Sequence, residues 1–423
     1  MSVDPSRYAR QADVPARFDS SLLDGVVRAT PDAERREAYL PAPAVQNHAA
    51  FLERLPGGDL GLAWFGGTQE GVSDISIWFA RLAPHAAQWS QPVRVTDDPT
   101  RSEQNPVLFT APDGALWLLY TAQRAGNQDT AEVRRRVSRD DGRTWSEVET
   151  LFPATADGGV FIRQPIVVTR SGRWLLPIFH CVSRPGHAWD GGLDTSAVMI
   201  SDDAGASWRE VAVPESTGCV HMSIIERADG TLHALFRSRR ADAIHRSVSD
   251  DDGETWSVPV PTSLPNNNSS LQQRLLADGR IAVVYNHSSR HDARGRRESL
   301  YDEIDDEGIV ETAPPPHPDA AGADVAPAAP AALAAGEPFW GAPRAPMTLA
   351  ASADGGESFE VLGDLDEGDG YCLSNNSRDG VNREFSYPVM LQAPDGHLDI
   401  AYTYFRRAIK HVRLSPAWRQ EKP

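Results

Sequence analysis

The chain has 423 residues and a formal charge of −18, with 40% hydrophobic and 24% charged residues, an ordinary globular composition. The acidic balance argues against generic binding to nucleic acid or to an anionic membrane, since both need a basic face. No apolar run is long enough to span a bilayer and the first residues carry no apolar stretch, while Cys181, Cys219 and Cys372 are too scattered for a disulfide framework or a zinc ribbon, so a reducing cytoplasm fits best.

Residues 1–19 read as an N-terminal extension. From there six similar hairpins follow, each an apolar run, a tight glycine turn and a second apolar run. They cover residues 49–64, 106–120, 165–178, 222–236, 270–285 and 388–402. The runs are short and rich in β-branched and aromatic residues, which predicts strands and not helices. The second turn glycines, Gly58, Gly114, Gly172, Gly230, Gly279 and Gly396, recur at about fifty residues, the length of a four-stranded propeller blade. The last step is about two periods long and holds an Ala- and Pro-rich insertion, residues 311–336, that cannot bury a core and predicts a mobile flap. The expected fold is therefore all-β, a single six-bladed β-propeller over residues 20–418. Residues 20–45 are expected to supply a strand that closes the ring against the segment around Lys410 and Leu414.

A second motif, S-x-D-x-G-x-[ST]-[WF], occurs at Ser138–Trp145, Ser201–Trp208, Ser249–Trp256 and Ser352–Phe359. Its Asp can bond backbone N–H groups, its Gly takes a positive φ, and its aromatic residue packs between blades. These four copies are Asp-boxes, and together with the six-fold repeat they resemble the sialidase superfamily, the bacterial neuraminidase repeat proteins. The resemblance covers roughly residues 40 to 415. It implies a site in the central funnel, where the inner strand of each blade begins. The residues at those points are polar or amphipathic: Gln46-Asn47-His48, Glu103-Gln104-Asn105, Arg163-Gln164, His221, Asn266 to Asn268 and Glu384 to Tyr387.

Sialidases hold a substrate carboxylate with three arginines, whose planar forks give bidentate bonds. Two of these match Arg237, which closes the blade-four hairpin, and Arg344, eight residues before a late Asp-box. Their nucleophilic tyrosine matches Tyr387. Where the family starts its first blade with an Arg-Ile-Pro triplet, this chain has Asn47-His48-Ala49. The glutamate that supports the family's tyrosine falls on His221. For the family's aspartate acid the nearby candidates are Glu70 and Asp74. The expected site is thus Tyr387, His221, Glu70 and Asp74 as reacting groups. Arg237, Arg344, Arg163, Arg383, Asn47, His48 and Asn105 are the expected substrate contacts, with Arg163 or Arg383 in place of the missing clamp arginine.

Three functions suit this set. In sialidase-like hydrolysis, Tyr387 attacks the anomeric carbon of a terminal acidic sugar while Glu70 or Asp74 protonates the leaving oxygen. In elimination at a glucuronate, Arg237 and Arg344 hold the carboxylate while His221 and Tyr387 move the protons, as in the rhamnosyl-glucuronate lyases. A glycan-binding propeller without catalysis would present a similar funnel. No phosphate loop, dinucleotide fingerprint or metalloprotease motif is present, so no cofactor or metal is implied. The expected partner is an oligosaccharide with a terminal acidic sugar.

Overall fold

Each of the six glycine turns folds as a hairpin, with the second glycine at a φ between 81° and 93°, a region closed to most other residues. The computed structural model of the protein describes residues 18–184, 186–297, 336–372 and 382–419, with two short strands at Ile304–Asp305 and Gly308–Ile309. The Ala/Pro-rich segment, apart from Gly336, and most of the N-terminal extension lie outside the described residues.

The hairpins grow into six antiparallel sheets arranged as a six-bladed propeller. From the inner to the outer edge, blade 1 holds Gln46–Arg54, Leu60–Gly67, Ser76–Leu82 and Val93–Arg94. Blade 2 holds Ser102–Thr110, Leu116–Arg124, Asn127–Ser138 and Glu149–Phe152. In blade 3 the inner strand is broken into Gly158–Ile162 and Val167–Val168, both paired with Trp174–Val182, followed by Thr195–Ser201 and Arg209–Ala212. Blade 4 runs Cys219–Glu226, Leu232–Ser238, Ala243–Ser249 and Val260–Pro265. Blade 5 uses Gln272–Leu275 and Ile281–Asn286, then Met347–Ser352 and Glu360–Asp366 on the far side of the insertion. Blade 6 is Phe385–Gln392, Leu398–Tyr404 and Ala408–Leu414, completed by Arg35–Tyr39 from the other end of the chain.

The S-x-D-x-G turns sit between the third and outer strands and share one hydrogen-bond set. Ser138 Oγ accepts Gly142 N at 2.8 Å, and Asp140 accepts both Thr144 N at 2.8 Å and Thr144 Oγ at 2.7 Å. The other three turns repeat it. Their glycines press on the preceding blade: a Cβ at Gly142 would lie 2.6 Å from Phe79, and one at Gly205 would lie 2.5 Å from Trp117. Any larger residue there would push two blades apart.

The ring is closed by pairing Arg35–Tyr39 with Ala408–Leu414, from Arg35 opposite Leu414 to Tyr39 opposite Lys410. One amine secures three elements. Lys410, with a side chain 2% exposed, lies 3.1 Å from Glu37 on the closing strand and 2.9 Å from Asp366 on the outer strand of blade 5. Removing it leaves Glu37 and Asp366 with Arg35 as their one remaining cation among the described residues, paired with Glu37 and 3.9 Å from Asp366. Lys410→Ala is therefore expected to lower unfolding stability by about 2–4 kcal/mol in urea titration, and a loss within the noise of an ordinary surface substitution would show that the closure does not depend on this amine.

Candidate active site

The inner strands do not run straight into the funnel. In blades 1, 2, 4 and 6 the register with the second strand slips between His48 and Phe51, Gln104 and Val107, Val220 and Ser223, and Ser386 and Val389. At each bulge one residue takes a left-handed backbone: Ala49 at φ 58°, Asn105 at 48°, His221 at 54° and Tyr387 at 53°. Such backbone in a bulky residue costs on the order of 1–3 kcal/mol and re-aims the side chain. Here it brings His221 and Tyr387 together, their rings 5.5 Å apart edge-on.

Tyr387 is the centre of the cluster. Its hydroxyl accepts a hydrogen bond from Arg237 Nη1 at 2.7 Å, and the same nitrogen lies 3.4 Å from His221 Nε2. Arg237 Nε is fixed by Asn268 Oδ1 at 2.8 Å. The His48 ring lies 4.4 Å from the Tyr387 ring, and the guanidinium groups of Arg163, Arg237 and Arg344 stand 5.1, 5.7 and 5.7 Å from it. All of these groups are buried. Two imidazole nitrogens beside the phenol, His48 Nε2 and His221 Nδ1, are buried without a hydrogen-bond partner among the described residues.

A second group of charges adjoins the first. Glu384 Oε1 accepts from Arg344 Nη1 at 3.1 Å, from Arg406 Nε at 2.8 Å and from Ser386 Oγ at 2.8 Å. Arg406 Nη1 in turn donates to Glu70 Oε2. Burial alone would raise the Glu384 carboxyl, but Arg344 and Arg406 outweigh it and hold it at about 2. Burial would likewise lower Arg406, and Glu384 with Glu70 pushes it up instead. Arg237 has no carboxylate partner among the described residues, and burial pulls it down to about 9. His48 and His221 lie well below the ordinary imidazole range, through burial first and the surrounding arginines second. Both rings are neutral at pH 7.

Several expected residues thus meet: Tyr387, His221, His48, Arg237, Arg344, Arg163 and Glu70. Asp74 does not join them. It is exposed, and its carboxylate caps Thr68 N at 3.1 Å, which makes it a turn residue. Arg383 pairs with Asp369 through Nε at 3.0 Å. Arg163 donates to the carbonyls of Ala50 and Tyr387, each at 2.9 Å, and so braces the bulges of blades 1 and 6. Asn47 is occupied by Trp64 Nε1 at 3.0 Å and by the carbonyls of Ala44 and Arg407 at 2.9 and 3.0 Å. Asn105 holds the blade-two bulge. The arginine that rises beside Asn47 is Arg406, whose carbonyl accepts Asn47 N at 2.7 Å. Sequence reasoning missed it. The available signal was its place just beyond the second strand of blade 6, matching Glu70 beyond the second strand of blade 1. No group of three or more His, Cys, Asp or Glu among the described residues is disposed to hold a metal ion.

A family model described as a BNR repeat-like domain matches residues 58–400. The chain belongs to that BNR repeat-like family. One curated relative is the anhydrosialidase of Macrobdella decora, 27% identical over 183 residues, which are 40% of this chain and only 22% of that protein. Among solved structures, the Hadza microbial sialidase Hz136 superposes with a TM-score of 0.61 at 15% identity, over 88% of this chain and 66% of that one. The intramolecular trans-sialidase from Ruminococcus gnavus, solved with oseltamivir carboxylate, gives 0.59 at 14% identity, over 91% and 98%. At these identities the structural likeness is one of fold. The BNR repeat-like propeller of this chain therefore has distant sialidase and trans-sialidase relatives.

The neutral imidazoles set a pH dependence. Unfolded histidine binds a proton near pH 6.5, whereas folded His221 binds one only well below that. Between those limits the unfolded chain holds more protons, so stability falls as pH falls. His221→Asn removes this contribution. From pH 6.5 to pH 5 the unfolding free energy of the variant relative to the unchanged protein is expected to improve by about 1.5 kcal/mol in parallel urea titrations. No change in that difference would mean that His221 takes up its proton in the folded state.

Proposed function

We propose that the protein cleaves a terminal acidic sugar from a glycan, in the manner of a sialidase, with Tyr387 as the reacting group. The observation that carries this reading is the 2.7 Å hydrogen bond from buried Arg237 to the Tyr387 hydroxyl, with the guanidinium groups of Arg163 and Arg344 also beside the ring. That hydrogen bond fixes the position of the phenol oxygen beside the place where the anomeric carbon would lie. His221 takes the phenolic proton, and the Tyr387 oxygen forms a bond to the anomeric carbon as the glycosidic carbon–oxygen bond breaks. Glu70 supplies the proton for the departing oxygen and then takes one from the water that releases the sugar. Arg237 holds the sugar carboxylate. The names of the relatives, sialidases and an intramolecular trans-sialidase, support a sialic acid as the sugar.

A second reading is favoured by the ion pairing of Glu70 and Glu384 on Arg406. Both carboxylates are engaged by that one guanidinium, which leaves no free carboxyl group beside the phenol among the described residues. Elimination at a uronate needs none, because His221 can remove the α-proton and Tyr387 can protonate the departing O4.

Mass spectrometry separates the two. The protein is incubated with sialyl oligosaccharides and with rhamnosyl-glucuronate oligosaccharides; hydrolysis adds a water to the summed products, and elimination leaves an unsaturated uronate. The expected product is a free, water-added sialic acid, and Tyr387→Phe is expected to lower turnover by about 10²–10⁴-fold. An unsaturated product would transfer the reaction to the second reading. Binding of these glycans with no product from either would leave a carbohydrate-binding propeller.

A further inference from the structure

The charges at the foot of the funnel are paired unevenly. Glu384 neutralises Arg344 and shares Arg406 with Glu70. Arg163 directs its guanidinium to main-chain carbonyls. Arg237 faces only neutral groups, the Tyr387 hydroxyl, Asn268 Oδ1 and a neutral imidazole. Neither Arg163 nor Arg237 has a carboxylate partner among the described residues, but Arg163 is spent on main-chain carbonyls of two bulges, which leaves Arg237 as the uncompensated guanidinium that touches the phenol hydroxyl.

The Glu384 carboxylate already sits where a ligand carboxylate bound between Arg344 and Arg406 would have to sit. It is also held there. Its amide donates to Asn382 Oδ1 at 3.0 Å, its carbonyl accepts Phe405 N at 2.8 Å, and Ser386 Oγ fixes Oε1. A second carboxylate entering the same gap would meet the first at close range, and two such groups cannot both stay ionised without large cost.

Building on the acidic-sugar reading above, we propose that Glu384 is a built-in counter-anion that restricts the site to ligands with one negative group, held by Arg237 beside the phenol. Toward Arg344 and Arg406 the ligand presents a neutral hydroxyl. Among the described residues Glu384 Oε2 receives only a 3.5 Å contact from Asn382 Nδ2, so it has capacity to accept that hydroxyl. The site differs in this from an open arginine clamp, in which every guanidinium would turn to the ligand.

The test is calorimetric titration of the full chain with sulfate, and with 2,3-didehydro-2-deoxy-N-acetylneuraminic acid as a one-carboxylate sugar. Neither is turned over, so the affinities can be read even if no glycan is cleaved and the reading above fails. Glu384→Gln keeps the shape of the side chain and removes its charge. It is expected to bind sulfate at least tenfold more tightly than the unchanged protein, and to gain more in unfolding temperature when sulfate is added. Arg237→Gln is expected to lose at least tenfold in affinity for the sugar, and Arg344→Gln less than threefold. A Glu384→Gln protein that binds sulfate no more tightly would overturn the proposal and leave Glu384 a structural bridge. An Arg344→Gln loss as large as that of Arg237→Gln would overturn it too, because both arginines would then hold the ligand. If Glu384→Gln does not fold, the two arginine variants decide between these outcomes.

Discussion

The interaction on which the site depends is the buried chain of alternating charge Glu70–Arg406–Glu384–Arg344. It joins the loop of blade 1, the last hairpin of blade 6, the mouth of the blade-six inner strand and the return of the chain into blade 5. Buried ion pairs seldom add much net stability, because desolvation offsets the attraction, but breaking one leaves a charge with no partner. Their effect here is on arrangement. Arg406 can satisfy both Glu70 and Glu384 only if the first and last blades meet in one register, and its carbonyl receives Asn47 N across that same seam. Ring closure and site assembly are therefore one event. Arg406 holds the seam between the first and last blades, while Lys410 ties the closing strand of blade 6 to the outer strand of blade 5.

The bulges carry the second constraint. Four inner strands slip at equivalent places, and in two of them the strained residue is a histidine or a tyrosine, where a glycine would have been unstrained. A propeller built of regular strands would alternate its side chains between the two faces of each blade. The extra residue turns His221 and Tyr387 toward the axis. Arg163, sited in the break of the blade-three inner strand, donates to carbonyls at the bulges of blades 1 and 6 and so helps to hold the strain in place. The backbone strain and the electrostatic strain of an uncompensated Arg237 thus fall on the same few residues, as expected where folding has been biased toward function and not stability.

Much of this was legible in the sequence. The hairpin period gave six blades because each blade needs its own glycine turn, and the turn has a fixed chemistry. Tyr387 and His221 were legible because each stands where an apolar inner strand begins, and Arg237 because its place at the close of the blade-four hairpin resembles that of a sialidase clamp arginine. What could not be read was pairing. Arg406 lies 336 residues from Glu70, and no local pattern distinguishes an arginine that meets a distant carboxylate from one that faces water. Asp74 illustrates the reverse case. It lies close to Glu70 in the chain, but its carboxylate is taken by the turn at Thr68, a local bond that a list of nearby acids does not reveal. Arg383 likewise finds Asp369, fourteen residues earlier in the chain.

Placement of arginine, not its abundance, separates the funnel from the rest of the molecule. At the surface, arginines such as Arg134 and Arg173 are matched by Asp98 and Glu254 at 2.7 and 2.8 Å. At the funnel foot, four guanidinium groups meet two carboxylates. The body of the protein, at −18, repels anions at long range, whereas the funnel attracts them at short range, where low-dielectric walls concentrate the field. A polyanionic chain feels the repulsion over its whole length and gains the attraction at one point. A short glycan with a single negative group feels little of the first and all of the second. With Glu384 in the proposed role of counter-anion, the net charge of the molecule and that carboxylate act in the same direction, one at a distance and one at contact.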